Sequence, residues 1–265
     1  MTYIRLDYGD LALPALLVVM NGACSLVLQL GLERQLAIAA LRMSVQLVLV
    51  GYVLTFLFAI VSPFWTAVAA IAMVLFAARE VVARQKRRLQ AIWSYGLGAG
   101  AMLVAAGTVT TLALLTQLRP DPWYHPRYSL PLLGMILGNT MTGISLGLDV
   151  LMTGLVRDRA AVEARLALGE TRHHALLPVT RDALRNGFMP IINSMAATGI
   201  VSLPGMMTGQ ILAGVEPVDA VKYQLLIMFL IAGGTGLGTL AAVIGGVYRV
   251  TDHRHRLRLD RITSE

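Results

Sequence analysis

Seven apolar blocks, at 11–31, 36–61, 64–82, 94–116, 130–154, 188–213 and 222–248, run the length of the chain with polar connections between them, the longest between the fifth and sixth. A helix needs about 20 apolar residues to cross a hydrocarbon core of about 30 Å, and these blocks approach or exceed that. A spanning segment must satisfy its own backbone groups in lipid, so long apolar blocks of this kind fold as membrane helices. Composition agrees: 56% of the 265 residues are hydrophobic and 14% are charged, against about 25% charged in soluble domains. The predicted fold is an all-α integral membrane protein of about seven transmembrane helices, a single domain over 1–265 without repeats or low-complexity linkers.

Charge gives an orientation. Most of the 22 Lys and Arg residues follow the first, third, fifth and seventh blocks; the exceptions are Arg5, Arg42, Arg119, Arg127 and Lys222. The positive-inside rule then places the N-terminus outside and a basic tail, 249–265, in the cytoplasm. The expected location is the plasma membrane, the inner membrane in a bacterium. The loop Arg119–Pro126 faces outward, with Trp123, Tyr124 and Tyr128 suited to an interfacial belt. The formal charge of +7 is accounted for by this bias, which argues against nucleic-acid binding. No signal-peptide pattern is evident. Cys24 is the only cysteine, so no intrachain disulfide forms. Ser62-Pro63 barely separates two blocks; were these one re-entrant unit, the N-terminus would lie inside instead.

Glycines four apart recur at Gly96/Gly100, Gly134/Gly138, Gly143/Gly147, Gly205/Gly209 and Gly234/Gly238. Small residues at this spacing let helix backbones approach in lipid. Most are expected to pack within the chain, with one or two pairs at a dimer interface.

Residues 157–186 break the apolar pattern and predict two short helices around a turn. Asp158 is placed to cap the first, Ala161, Ala164 and Leu168 give it an apolar stripe, and Gly169 ends it in the left-handed conformation. Thr171 is placed to cap the second. Such an amphipathic element fits a groove on a soluble partner, or rests on anionic lipid.

Glu163-Ala164 with Gly169 resembles the Glu-Ala-Ala-x-x-x-Gly coupling motif of ABC transporter permeases, with Arg165 in the third position. Leu176-Leu177-Pro178 is similar to the apolar-Leu-Pro sequence of importers but arrives too early for a standard importer. Gly199-Ile-Val-Ser-Leu-Pro-Gly-Met-Met-Thr-Gly209, Ala213-Gly-Val-Glu-Pro217 and Tyr223-Gln224, with Gly51-Tyr52 after Gln46, resemble the FetB-type permeases. That family is associated with iron export and oxidative-stress resistance, and has plant relatives linked to aluminium tolerance. The resemblance implies a permease working as a homodimer with a separate cytoplasmic ABC ATPase. The coupling segment is about 157–176, with Glu163, Ala164, Leu168, Gly169 and Thr171 as the ATPase-coupling residues. It also implies a metal ion or metal complex as cargo, and ATP and Mg bound by the partner. Gly233-Gly-Thr-Gly-Leu-Gly238 lacks the lysine of a phosphate loop and sits in an apolar block, so it is packing. No cofactor and no catalytic site are expected in this chain.

Leu203-Pro204-Gly205-Met206-Met207 interrupts the sixth block, and broken helices at membrane depth often line substrate sites. The candidate pathway residues are Gln46, Asn139, Asn193, Ser202, Pro204, Gly205, Met206 and Met207. Candidate metal ligands are Glu80, Asp149, Met206 and Met207. Thioethers suit soft ions better than iron, and methionine also serves as packing filler. Glu80 has Arg84 as an i+4 partner, Asp149 lies near cytoplasmic basic residues, and Arg42 has Glu33 or lipid phosphate. His125, His173, His174, His253 and His255 fall in loops or the tail without metal-site spacing. A channel or secondary transporter would have no use for a docking helix, and a membrane-embedded enzyme would need a catalytic dyad that the spans do not display.

Overall fold

The computed structural model describes residues 7–252 and 256–264; Arg5, Arg254, His253 and His255 lie outside these. Nine α-helices follow one another among the described residues: α1 (Ala12–Val27), α2 (Glu33–Ile60), α3 (Pro63–Ala83), α4 (Ala91–Ala113), α5 (Pro126–Arg157), α6 (Arg159–Ala167), α7 (Arg172–Ala197), α8 (Gly205–Leu212) and α9 (Pro217–Arg249). Six stretches are long and apolar enough to cross a membrane: Gly9–Val27, Glu33–Ile60, Pro63–Ala83, Ile92–Leu118, Pro126–Arg157 and Pro217–Arg249.

The sixth sequence block departs from expectation. The span predicted at 188–213 is not one helix, because Thr198–Pro204 interrupts it and leaves α8 as a separate short helix. The second of the two "short" helices predicted within 157–186 is not short either. It runs on without a break into the apolar block as α7, despite Pro178 and Pro190 within it. Each proline costs one backbone hydrogen bond, and packing against α5 and α9 outweighs that loss.

The second and third blocks are two separate helices, not one re-entrant unit. Val61 adopts φ 45° and Ser62 an extended conformation, and Pro63 opens α3 at its first turn. Proline there gives up only an amide that has no helical partner. Glu80 of α3 pairs with Arg42 of α2. The i+4 partner Arg84 expected for Glu80 is therefore not the one it takes, and Arg42 takes Glu80 in place of Glu33, which accepts from Ser25. An ion pair between spans spares each helix an uncompensated charge in lipid.

The core is a bundle in which α5 is the central helix, packed on α9, α7, α3 and α4. Ile136, Ile144, Leu148, Leu151, Met152 and Leu155 of α5 are fully buried, facing Met102, Leu176 and Val243 from its neighbours. Two of the glycine pairs make this possible. A Cβ at Gly143 would lie 2.6 Å from Thr239 Oγ1 and 3.0 Å from the Gly187 carbonyl, and one at Gly238 would lie 2.4 Å from Thr140 Cγ2. These helices touch backbone to backbone, as small-residue packing in membranes requires. Gly96, Gly100, Gly205 and Gly209 meet nothing within 4 Å, and are open on the surface of the chain. The α1–α2 hairpin stands largely clear of the bundle, with only Ser25 and Leu57 buried in it.

One part is not helical. β1 (Arg87–Leu89) pairs antiparallel with β2 (Ile262–Ser264). The tail, expected only as a basic extension, is folded in its described part. Arg249 stacks 3.6 Å above the Trp93 ring, and Arg261 donates to the Arg249 carbonyl at 2.7 Å. The Asp252 carboxylate accepts from the Arg256 backbone N–H and side chain at 2.9 and 3.0 Å. Two hydrogen bonds from Arg258 hold the Asp260 carboxyl below the usual carboxylate range. These contacts gather the segments after the third and seventh blocks at one end of the bundle.

Candidate functional site

At that same end α5 stops and the chain turns into α6. Arg157 grips Asp158 through two hydrogen bonds, 2.9 and 2.8 Å long, which hold the Asp158 carboxyl below its ordinary range. Its side chain makes no cap bond to α6, contrary to the sequence expectation. The Asp158 carbonyl accepts the Val162 N–H instead, at 3.1 Å. Val162 is the buried residue of α6. Ala161, Ala164 and Leu168, expected as an apolar stripe, are exposed, Leu168 at 85%. The helix is thus pinned from beneath by Val162 and the half-buried Leu166 and presents its alanines outward. Glu163 is exposed and accepts from Arg159 one turn earlier at 2.8 Å.

The end of α6 follows the sequence closely. Gly169 has φ 89°. Its N–H bonds to the Leu166 carbonyl at 3.1 Å, and the Glu170 N–H bonds to the Arg165 carbonyl at 3.1 Å. That pair of bonds is the Schellman closure, which requires a left-handed residue and hence favours glycine. Thr171 occupies the N-cap position of α7, but its side chain makes no cap bond. The start of α7 is anchored instead by Arg172 above the Tyr248 ring at 4.5 Å and by His173 against the same ring. α6 is therefore a stiff elbow between two core helices.

From this elbow a polar face runs along α5 and α7. Gly143 lies against Gly187, and Gly147 against Ala183, so the two helices are antiparallel and Asn139 is level with Ile191, within a turn of Asn193. Asn139 is half-buried and Asn193 exposed. Towards the elbow the face widens into a cavity of about 550 Å³ lined by Lys86, Asp149, Thr153, Asp182, Arg185 and Asn186, among others. Asp149 accepts the Lys86 backbone N–H at 2.8 Å, so the basic partner expected for it arrives as an amide. Asp182, Arg185 and Asn186 are hidden in the sequence because 157–186 reads as a solvent-side segment, and Lys86 because it reads only as one of the basic residues after the third block. The polar recurrence at 182, 186 and 193 was the available signal.

The remaining candidates are dispersed. Gln46 is exposed on α2. The break at Ser202 and Pro204 is a closed loop: Gly199, at φ 93°, donates to the Ser202 carbonyl at 2.9 Å, and the Ser202 N–H bonds back to Ala197 at 3.2 Å. The Pro204 carbonyl accepts both the amide and the hydroxyl of Thr208. Gly205 opens α8, Met207 is half-buried, and Met206 packs against the hydrophobic core. Glu80 is engaged by Arg42, far in sequence from the methionines. Among the described residues no three of His, Cys, Asp and Glu gather into a metal-binding group.

Comparison with known proteins agrees with this architecture. The model of the uncharacterised protein family UPF0014 matches residues 8–251. A UPF0014 membrane protein of Synechocystis is 36% identical, covering 96% of each chain. The probable iron export permease protein FetB of Escherichia coli is 32% identical over 94% of this chain and 93% of its own. The protein ALUMINUM SENSITIVE 3 of Arabidopsis thaliana is 31% identical over 80% of this chain and 76% of its own. No solved structure matches the chain. With a family match along nearly its whole length and relatives above 30% identity, the chain belongs to the UPF0014 family of membrane proteins, the family of the FetB permease.

Proposed function

We propose that this chain is the membrane subunit of an ATP-driven exporter of iron or another metal species. Two copies assemble with two copies of a separate cytoplasmic ABC ATPase, which binds ATP and Mg. The observation that carries this is the α6 elbow: a short helix held by Val162 and Leu166, with Leu168 and its alanines exposed, joining the two helices that bear the polar face. A force on α6 is transmitted to α5 and α7 together. The polar face supports a dimer, since Asp182, Arg185 and Asn193 are exposed along helices of a membrane bundle, where contact with lipid would be costly. A second copy encloses that face and makes a wet passage between the two. α6 and the basic segments lie on the cytoplasmic side of the plasma membrane, and the N-terminus lies outside. Nucleotide-driven closure of the ATPases shifts the spans between inward- and outward-open states through differential contacts in the two states.

The test is co-expression with a lone ATPase from a neighbouring reading frame, co-purification, and reconstitution into vesicles. ATP-dependent movement of Fe(II), Mn(II), Zn(II) or Cu(I), absent without the ATPase, is expected; uptake independent of ATP would favour a channel instead. Replacing Met206 and Met207 together by Leu is expected to leave both fold and export in place, because Met206 is core packing and the volumes are similar. Loss of export with an unchanged melting profile would make the sulfurs ligands.

A further inference from the structure

The cavity between α5 and α7 has a wall of both charges, and this bears on the form in which cargo enters. We infer that it takes a metal already complexed by an oxygen-rich anionic chelator, with Lys86 and Arg185 holding the chelator's carboxylates and Asp149 and Asp182 facing the metal. The inference rests on the exporter reading above and names its substrate class.

Size is the first argument. The cavity holds about 550 Å³, within the roughly 300–1,000 Å³ of small-molecule sites. A single ion with a few waters, at about 30 Å³ each, would leave much of it unfilled. A small chelate would not.

Charge is the second. Among the described residues neither the Lys86 ammonium nor the Arg185 guanidinium has a hydrogen-bond or ion-pair partner, whereas the neighbouring Arg157 is committed to Asp158. Lys86 comes from the loop before β1 and Arg185 from α7, so the two cations approach the cavity from different elements. Guanidinium and ammonium groups recognise carboxylate and phosphate oxygens. An anion alone would nevertheless meet two carboxylates in the same wall. Asp149 has given one acceptor site to the Lys86 N–H, and the Asp182 carboxylate has no hydrogen bond among the described residues. A bare cation would in turn meet three basic groups, Lys86, Arg157 and Arg185. A metal chelate carries both charges, separated in space, and so matches both.

Coordination is the third. Two carboxylates are hard donors, suited to hard cations, but they fill at most part of a sphere of about six oxygens. The remaining donors come from water, from Thr153 and Asn186, or from a chelator that travels with the metal, and the size of the cavity favours the chelator. The place is apt: the cavity lies where α5 and α7 approach the α6 elbow, and the Asn139–Asn193 level lies further along the same face.

The full chain in lipid nanodiscs, with its ATPase bound, is the material for the test. Probes are radiolabelled Fe(III)-citrate, citrate alone, Fe(II) alone and inorganic phosphate. Fe(III)-citrate is expected to bind and to stimulate ATP hydrolysis. Lys86→Gln with Arg185→Gln weakens its binding at least tenfold, and Arg185→Lys restores part of it. Asp149→Asn with Asp182→Asn removes the preference for Fe(III)-citrate over citrate. Melting profiles confirm that each variant is folded. Tighter binding of Fe(II) alone, unaffected at Lys86 and Arg185, would overturn the inference in favour of a bare ion. Equal binding of citrate or phosphate without metal would overturn it in favour of a simple anion site. In either case ATP-dependent transport would survive and the exporter reading with it, whereas failure of that reading would show as no ATPase association at all.

Discussion

Gly169→Pro is expected to abolish ATP-driven transport, by at least about tenfold, while the protein still inserts in the membrane. Gly169 sits at φ 89° and donates its N–H to Leu166. Proline fixes φ near −65° and has no N–H, so neither feature survives. It also disfavours the helical conformation of the residue before it, and Leu168 is now at φ −75°, ψ 0°. The last turn of α6 would unwind and swing the exposed Leu168 out of position. The spans are untouched, because α6 contributes only Val162 and the half-buried Leu166 to the interior. A tenfold loss corresponds to about 1.4 kcal/mol of coupling, a modest demand on an element whose task is to transmit force. Glu163→Arg tests the same surface without strain, since it removes the pair with Arg159 and reverses an exposed charge. The measurement is transport and ATP hydrolysis side by side in vesicles: hydrolysis persists and transport falls. Full transport by both variants would remove the docking role of α6.

The end of α6 was legible in the sequence. Gly169, flanked by an amphipathic run and a following Thr, encodes a helix stop locally, and local signals survive into the fold. Six of the seven long blocks were legible for the same reason, since apolarity over about 20 residues dictates a span, whereas 188–213 is interrupted between α7 and α8. What failed depended on tertiary contacts. Asp158 could have capped α6, but Arg157 beside it captured the carboxylate. Glu80 had a local partner in Arg84 and chose Arg42 on another helix. α7 carries Arg172, Arg181, Asp182 and Arg185 in its first half, so its polar start hid its continuity with the apolar half. The strand pairing of 87–89 with 262–264 joins residues distant in the chain, and nothing in a three-residue strand announces a partner so far away. The α7 wall of the polar cavity was hidden for the same reason, although Asp149 on the opposite wall stood out as an acid within an apolar block.

The glycines divide into two classes that the sequence could not separate, and the second large effect follows from that division. Gly187→Val and Gly238→Val are each expected to destroy the folded bundle. At Gly187 even a Cβ would stand 2.5 Å from Thr239 Cγ2 and 2.8 Å from the Gly143 carbonyl, a backbone atom that cannot rotate away. At Gly238 the obstacle is Thr140 Cγ2 at 2.4 Å, with Ile144 and Ala105 at 3.4 Å behind it. Thr140 and Thr239 are themselves fully buried, so no solvent-facing rotamer relieves the clash. Overpacking of this kind costs at or above the roughly 1–3 kcal/mol usual in cores, because α5, α7 and α9 must separate to accept it. Separation would also strip the fully buried Ile144 and Leu148 of contacts. Gly100→Ala and Gly209→Ala are the controls. Both positions are open within the chain, and alanine is the better helix former. Melting in detergent, followed by size exclusion, separates the cases: the valine variants aggregate or melt far lower, and the alanine variants melt like the parent. Should Gly100→Ala or Gly209→Ala instead halve the apparent mass at an unchanged melting temperature, that glycine lies where the second copy packs. An unchanged melt for Gly187→Val would mean that α5 and α7 do not touch as described, and the polar face between them would lose its geometry.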